Sequence, residues 1–111
     1  MKFPTYPLNP AYKEISKLAE MLSDTDIPHT IVRLFDGWQI GYPILPRDGD
    51  CVCSVIQHHI SYGSEYDLLE IEGLLTPEEG HFDEVVGNLT AEDVFERIKT
   101  HWEAQNDAGT E

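Results

Sequence analysis

Between His58 and Asp67 the chain crowds imidazoles, phenols, hydroxyls and carboxylates around a single glycine: His58, His59, Ser61, Tyr62, Ser64, Glu65, Tyr66 and Asp67 about Gly63. Histidine exchanges its proton near neutral pH, so an imidazole beside a carboxylate and a tyrosine can do acid–base work or hold a small ligand. A ligand site of this kind would use His58, Tyr62, Glu65 and Tyr66, with Trp38 as a wall. Two features weigh against a reaction. No nucleophile, base and orienting group can be assigned from the spacing, and adjacent His58 and His59 on a strand point to opposite faces. A binding surface is the better expectation.

The other reactive types are accounted for without chemistry. Cys51 and Cys53 leave one strand in the same direction, with Cβ atoms too far apart for an unstrained disulfide. Zinc would need two further ligands, and the nearest histidines lie five or more residues along the same strand. Buried small hydrophobes are expected, with neither metal nor cofactor. There is no phosphate-binding glycine loop, no His-Glu-x-x-His and no Gly-x-Ser-x-Gly. The acidic pairs Glu78-Glu79 and Asp83-Glu84 do not match a calcium loop, whose oxygen ligands alternate along about twelve residues.

Charge is the strongest bulk signal. The net charge of −14 is unevenly placed: residues 1–63 carry seven acids and five bases, whereas residues 64–111 carry fourteen acids and two bases. Glu65, Asp67, Glu70, Glu72, Glu78, Glu79, Asp83 and Glu84 follow one another without an intervening Lys or Arg. Such a field repels nucleic acid and anionic membrane and attracts basic protein surfaces. Those eight carboxylates are therefore the expected partner-binding set, with simple solubility as the alternative role for the acidity.

The elements that must position these groups can be read in order. A 111-residue chain with a 41% hydrophobic fraction supports one ordinary domain core. Residues 1–8 form an extended arm carrying Phe3 and Tyr6, residues 9–104 the single domain, and residues 105–111 a flexible tail. Asn9-Pro10 opens a helix whose stripe is Ile15, Leu18, Ala19 and Leu22. Asp36-Gly37 signals a type I′ hairpin pairing Phe35 with Trp38, Arg33 with Ile40 and Ile31 with Tyr42. Cys51 to His58, apolar on both faces, predicts a central third strand, and Leu69 to Ile71 a fourth with one wet face. Val85 and Val86 precede a break at Gly87-Asn88. Thr76 and Thr90 each cap a helix, the second with Asp93 in a capping box and Val94, Phe95, Ile98, His101 and Trp102 as its stripe.

The expected fold class is α+β, a twisted antiparallel sheet of three to four strands with the N- and C-terminal helices packed on it, on the same face. With no apolar run near 18 residues and no charged-then-apolar leader, a soluble cytoplasmic protein is the default expectation.

Leu34-Phe35-Asp36-Gly37-Trp38-Gln39-Ile40, Ser61-Tyr62-Gly63 with Leu68-Leu69-Glu70-Ile71, and Leu74-Leu75-Thr76 with Leu89-Thr90-Ala91-Glu92-Asp93-Val94-Phe95 together resemble a family of small acidic proteins encoded by prophages and mobile elements of gut bacteria. The resemblance spans Asn9 to Trp102 and implies a genomic setting, not catalytic residues. Short acidic proteins of that setting are often accessory or anti-defence factors that occupy a host protein, including inhibitors of CRISPR systems. The leading expectation is a non-enzymatic nucleic-acid mimic docking on the basic groove of a host nuclease or other defence protein. A small-ligand-binding protein or enzyme at the His58–Asp67 loop, and a homo-oligomeric phage assembly protein, are the alternatives.

Overall fold

The chain forms five strands, one or two more than expected. The computed structural model describes residues 7–82 and 84–108; Phe3 and Tyr6 of the arm, Asp83, and the last three residues lie outside them. Strands β1 (Thr30–Leu34), β2 (Gly37–Tyr42), β3 (Cys53–Gln57), β4 (Leu69–Glu72) and β5 (Val85–Leu89) form one antiparallel meander in the order β1-β2-β3-β4-β5. Helices α1 (Glu14–Asp24) and α3 (Ala91–Ala108) pack against one another and enclose a single core with the sheet, and α2 (Pro77–Phe82) bridges β4 and β5. The fold is α+β. Among the described residues no helix is long and apolar enough to cross a membrane.

The core is the face carrying Ile40, Val55 and Ile71, which sit side by side across β2, β3 and β4. They are fully buried with Ile15, Leu18 and Leu22 of α1 and Val94 and Ile98 of α3. Strand β3 takes the central position expected of a segment apolar on both sides, although it begins at Cys53, not Cys51.

The hairpin differs from expectation by its register. Its turn is Phe35-Asp36, so Leu34 faces Gly37, Arg33 faces Trp38 and Ile31 faces Ile40. Phe35 adopts φ 52°, a left-handed conformation that costs a non-glycine residue roughly 1 kcal/mol. Two contacts compensate. A Cβ on Gly37 would lie 1.8 Å from the Gln57 carbonyl oxygen, so the glycine is needed inside the strand for close approach, not in the turn. The turn position also aims the Asp36 carboxylate at Tyr12 and His59.

Three boundaries also move. Asn9 caps only a turn through its Oδ1, which accepts the Ala11 N–H at 3.0 Å, and α1 begins at Glu14. Gly87-Asn88 does not end the chain's extended run. It forms a bulge within β5, where Asn88 takes φ 61° and the β4 pairing slips by one residue. Helix α3 runs on to Ala108, past the expected tail boundary at residue 105. Both threonine caps stand as expected: the Thr90 and Asp93 side chains exchange bonds with each other's amides at 3.2 and 3.1 Å, and Thr76 and Glu79 do the same at 3.2 and 2.8 Å.

Candidate functional site

The loop joining β3 to β4 is held by its own hydroxyl and by two aspartates. Ser61 Oγ accepts the His58 N–H at 3.0 Å and donates to the His58 carbonyl at 2.8 Å. Its proton is thereby committed to the backbone, and the side chain is buried; it is no nucleophile. His58 Nδ1 accepts the Ile60 N–H at 3.1 Å, and its ring meets Phe35 and His59 edge-on at 5.1 and 6.1 Å. Burial lowers the His58 pKa below the ordinary imidazole value, which keeps a neutral ring in this apolar setting.

Asp36, placed by the sequence in the hairpin turn, is a hub. Its Oδ1 accepts the His59 amide at 2.9 Å and the His59 ring Nδ1 at 3.1 Å, and its Oδ2 accepts the Tyr12 hydroxyl at 3.0 Å. Burial opposes its charge, but the bonds from His59 and Tyr12 outweigh it and hold the carboxyl below the usual range. Burial and the same bond push the Tyr12 phenol up. With the Asn9 N–H on the Asp36 carbonyl, this clasp ties the chain before α1, the hairpin turn and the β3–β4 loop together. A surface depression of about 480 Å³ lies beside it, lined by Pro7, Leu8, Asn9, Pro10, Asp36 and His59.

The five residues expected to form a ligand site do not line that depression. Trp38 packs against the core under the Arg33 guanidinium, 5.4 Å above its ring. Arg33 also donates to the Gly37 and Phe35 carbonyls, each at 3.2 Å. Tyr62 and Tyr66 are 63% and 74% exposed, and Glu65 beside them is exposed.

The eight acidic residues divide into two groups. Asp67, at φ 55°, turns its Oδ1 toward the N-terminus of α1, where it accepts the Lys13 and Glu14 amides at 2.8 and 3.1 Å. The same oxygen accepts Gln57 Nε2 at 2.7 Å, and fully buried Gln57 accepts the Ile15 N–H. Glu79 is gripped by both Arg97 nitrogens at 2.7 and 2.9 Å, and this pairing with the Thr76 cap holds its carboxyl down at about 2. These two carboxylates are internal fittings. Glu70 is half-buried and accepts the Tyr62 N–H at 3.0 Å. Glu65, Glu72, Glu78 and Glu84 are exposed, and Asp83 lies outside the described residues.

Glu70 and Glu72 project from the sheet face opposite the helices, since Ile71 between them is buried in the core. Glu72 pairs with Val85, the residue after Glu84. A Cβ on Gly87 would lie 2.4 Å from Tyr62 Cβ, so Tyr62 lies directly over β5. Carboxylates and the exposed Tyr62 thus share the β4–β5 side of the molecule. This side is the candidate site.

The cysteines belong elsewhere. Both are free thiols; Cys53 is buried, which pushes its thiol up to about 12, and half-buried Cys51 donates to the Cys53 carbonyl at 3.1 Å. No family model matches the chain, and no curated protein or solved structure matches it either.

Proposed function

We propose that the chain is a non-catalytic binding protein of a phage or mobile element that docks its acidic β4–β5 side on a basic surface of a host protein. The partner is a nuclease or other nucleic-acid-binding defence protein whose groove accepts carboxylates in place of phosphates. The observation that carries the reading is the placement of Glu70 and Glu72 on one strand face, beside Glu84 and the exposed Tyr62. Carboxylates on a hydrogen-bonded frame present fixed charge, which steers association and weakens with salt.

The test is affinity capture from host lysate at low and raised ionic strength, using the wild type and the triple variant Glu65→Gln, Glu72→Gln, Glu84→Gln. The expected result is retention of basic proteins that salt, heparin and the triple substitution each release. Retention of neutral or acidic proteins, insensitive to all three, overturns the proposal.

A further inference from the structure

The β2–β3 connection folds over the face of the sheet that looks away from the helices. Gly41, Ser54 and Glu72 stand side by side across β2, β3 and β4. Each adjoins a residue buried in the core, Ile40, Val55 and Ile71 in turn, so all three look outward. A Cβ on Gly41 would lie 2.4 Å from the Ile44 carbonyl oxygen, which shows how closely the connection presses on the sheet before turning at Pro46–Asp48. A Cβ on Gly73 would lie 2.3 Å from the Val52 carbonyl oxygen, so the end of β4 is drawn against the segment leading into β3. Between these two close approaches lies a cavity of about 330 Å³, lined by Pro46, Cys51, Val52, Cys53, Ser54 and Glu72.

One group in this lining carries charge, the Glu72 carboxylate. Burial pushes the Cys51 thiol up and the Cys53 thiol up to about 12, and Cys51 donates its proton to the Cys53 carbonyl at 3.1 Å. Glu72 acts electrostatically on the Cys51 thiol, yet among the described residues its carboxylate has neither a hydrogen bond nor an ion pair. The nearest base in the sequence, Arg47, is exposed and does not line the cavity. Ser54 Oγ accepts Gln39 Nε2 at 2.9 Å and keeps a lone pair for a second donor. An anion is repelled here, and a metal ion would meet one carboxylate and two protonated thiols, where thiolates are required.

We infer that this cavity takes a small organic cation with a guanidinium head on a short apolar stem. The head donates to both Glu72 oxygens as a bidentate pair, with Ser54 Oγ as a further acceptor. A guanidinium is planar and weakly hydrated, so it rests on the apolar wall of Pro46 and Val52 better than a compact ammonium does, and its stem lies along the same wall. The volume is at the small end of the range for ligand sites, about 300–1,000 Å³, which suits a head and stem and no more. The guanidinium belongs either to a free molecule or to an arginine within a polypeptide. The inference does not rest on the docking proposed above, since a free cation needs no partner protein.

Titration of the isotope-labelled full chain with N-acetyl-arginine amide, read by backbone amide shifts in nuclear magnetic resonance, tests the site. The expected result is saturable binding with a dissociation constant on the order of 1 mM, its shifts centred on Val52, Cys53, Ser54 and Gly73. Glu72→Gln should weaken binding at least fivefold. Glu84→Gln removes the same charge from an exposed residue outside the cavity and should leave binding unchanged. The capped lysine amide should bind at least fivefold more weakly than the arginine amide. Free arginine separates the two sources: affinity equal to the capped amide marks a free ligand, whereas loss through its added α-carboxylate marks an arginine within a chain. Failure of the docking proposal, seen as lysate capture indifferent to salt and charge, would leave these shifts standing. Shifts that do not saturate, that spread over the acidic side, or that respond equally to Glu72→Gln and Glu84→Gln would each overturn the inference, as would equal affinity for the arginine and lysine amides.

Discussion

Asp67→Ala should be among the most damaging single changes in the acidic half, although the residue lies in a loop. One carboxylate oxygen accepts the first amides of α1 and the Gln57 side chain. Losing a helix cap costs about 1 kcal/mol. Leaving the amide of buried Gln57 without its acceptor costs about 1–3 kcal/mol. Alanine also tolerates the left-handed backbone at φ 55° less well than aspartate. Because one oxygen serves all three donors the costs overlap, and the expected total is about 3 kcal/mol. For a domain of this size that lowers the melting temperature by about 12 °C. Asp67→Asn keeps the acceptor and the backbone preference and loses only the charge at the helix end, about 0.5 kcal/mol. Urea and thermal melts of the two variants at pH 7 separate the cases. Equal destabilisation by alanine and asparagine, or an alanine cost below about 1 kcal/mol, would refute the reasoning. Asp67→Asn should leave partner capture unchanged, because the residue faces α1.

Gly37→Ala should unfold the protein or cost more than about 3 kcal/mol, since its methyl would meet the Gln57 carbonyl at 1.8 Å; a chemical melt within about 1 kcal/mol of wild type would show that the hairpin can shift to accept it. Glu79 is held at about 2 by Arg97 and Thr76, so its contribution is complete above the ordinary glutamate pKa and is lost as pH falls through the folded value. Allowing for solvent screening, Arg97→Met should remove about 1 kcal/mol at pH 7 and flatten the stability profile between pH 4.5 and 2; an unchanged acid slope would discount the pair. His58 has a folded pKa below its unfolded one, so stability is complete above the unfolded imidazole value and falls as the unfolded chain takes up a proton. Denaturant melts from pH 7.5 downward should show this decline, and His58→Gln should remove it; an identical slope in the variant would place the titration elsewhere.

The helix faces and the burial of alternate strand residues were legible because each depends on a period within one segment. Ile15, Leu18 and Leu22 and the pair Leu69 and Ile71 are buried as their spacing requires. The hairpin register was not, because the residue that decides it lies elsewhere: Gly37 is needed by Gln57, twenty positions later, and Asp36 by Tyr12 and His59. Strand β5 was missed because Gly87-Asn88 is a turn signal by composition, whereas here it forms a bulge over which Tyr62 passes. The start of α1 failed for the same reason, since its cap comes from Asp67, fifty-four residues away. Charge count marked the acidic half, but could not separate Asp67 and Glu79, which serve the fold, from Glu65, Glu72, Glu78 and Glu84, which face solvent.

That separation changes what a binding surface here must rely on. Glu70 and Glu72 are two residues apart on a strand, a spacing of about 6.7 Å, whereas one strand of duplex DNA carries a charge about every 3.4 Å along its axis. Density alone cannot outbid nucleic acid for a basic groove. On the proposed docking side the exposed phenol of Tyr62 is the group that would supply the difference, since aromatic anchors that become desolvated are worth about 2 kcal/mol or more and rim charges about 0.2–1 kcal/mol. Tyr62→Ala should therefore raise the dissociation rate from a captured partner at least tenfold, at any salt. Glu72→Gln with Glu84→Gln should chiefly slow association, by an amount that vanishes as salt is raised. Surface plasmon resonance on the captured partner reads both rates. If Tyr62→Ala proves silent while the glutamate pair changes dissociation, the charges would have to be buried at the contact and this division of labour would be wrong.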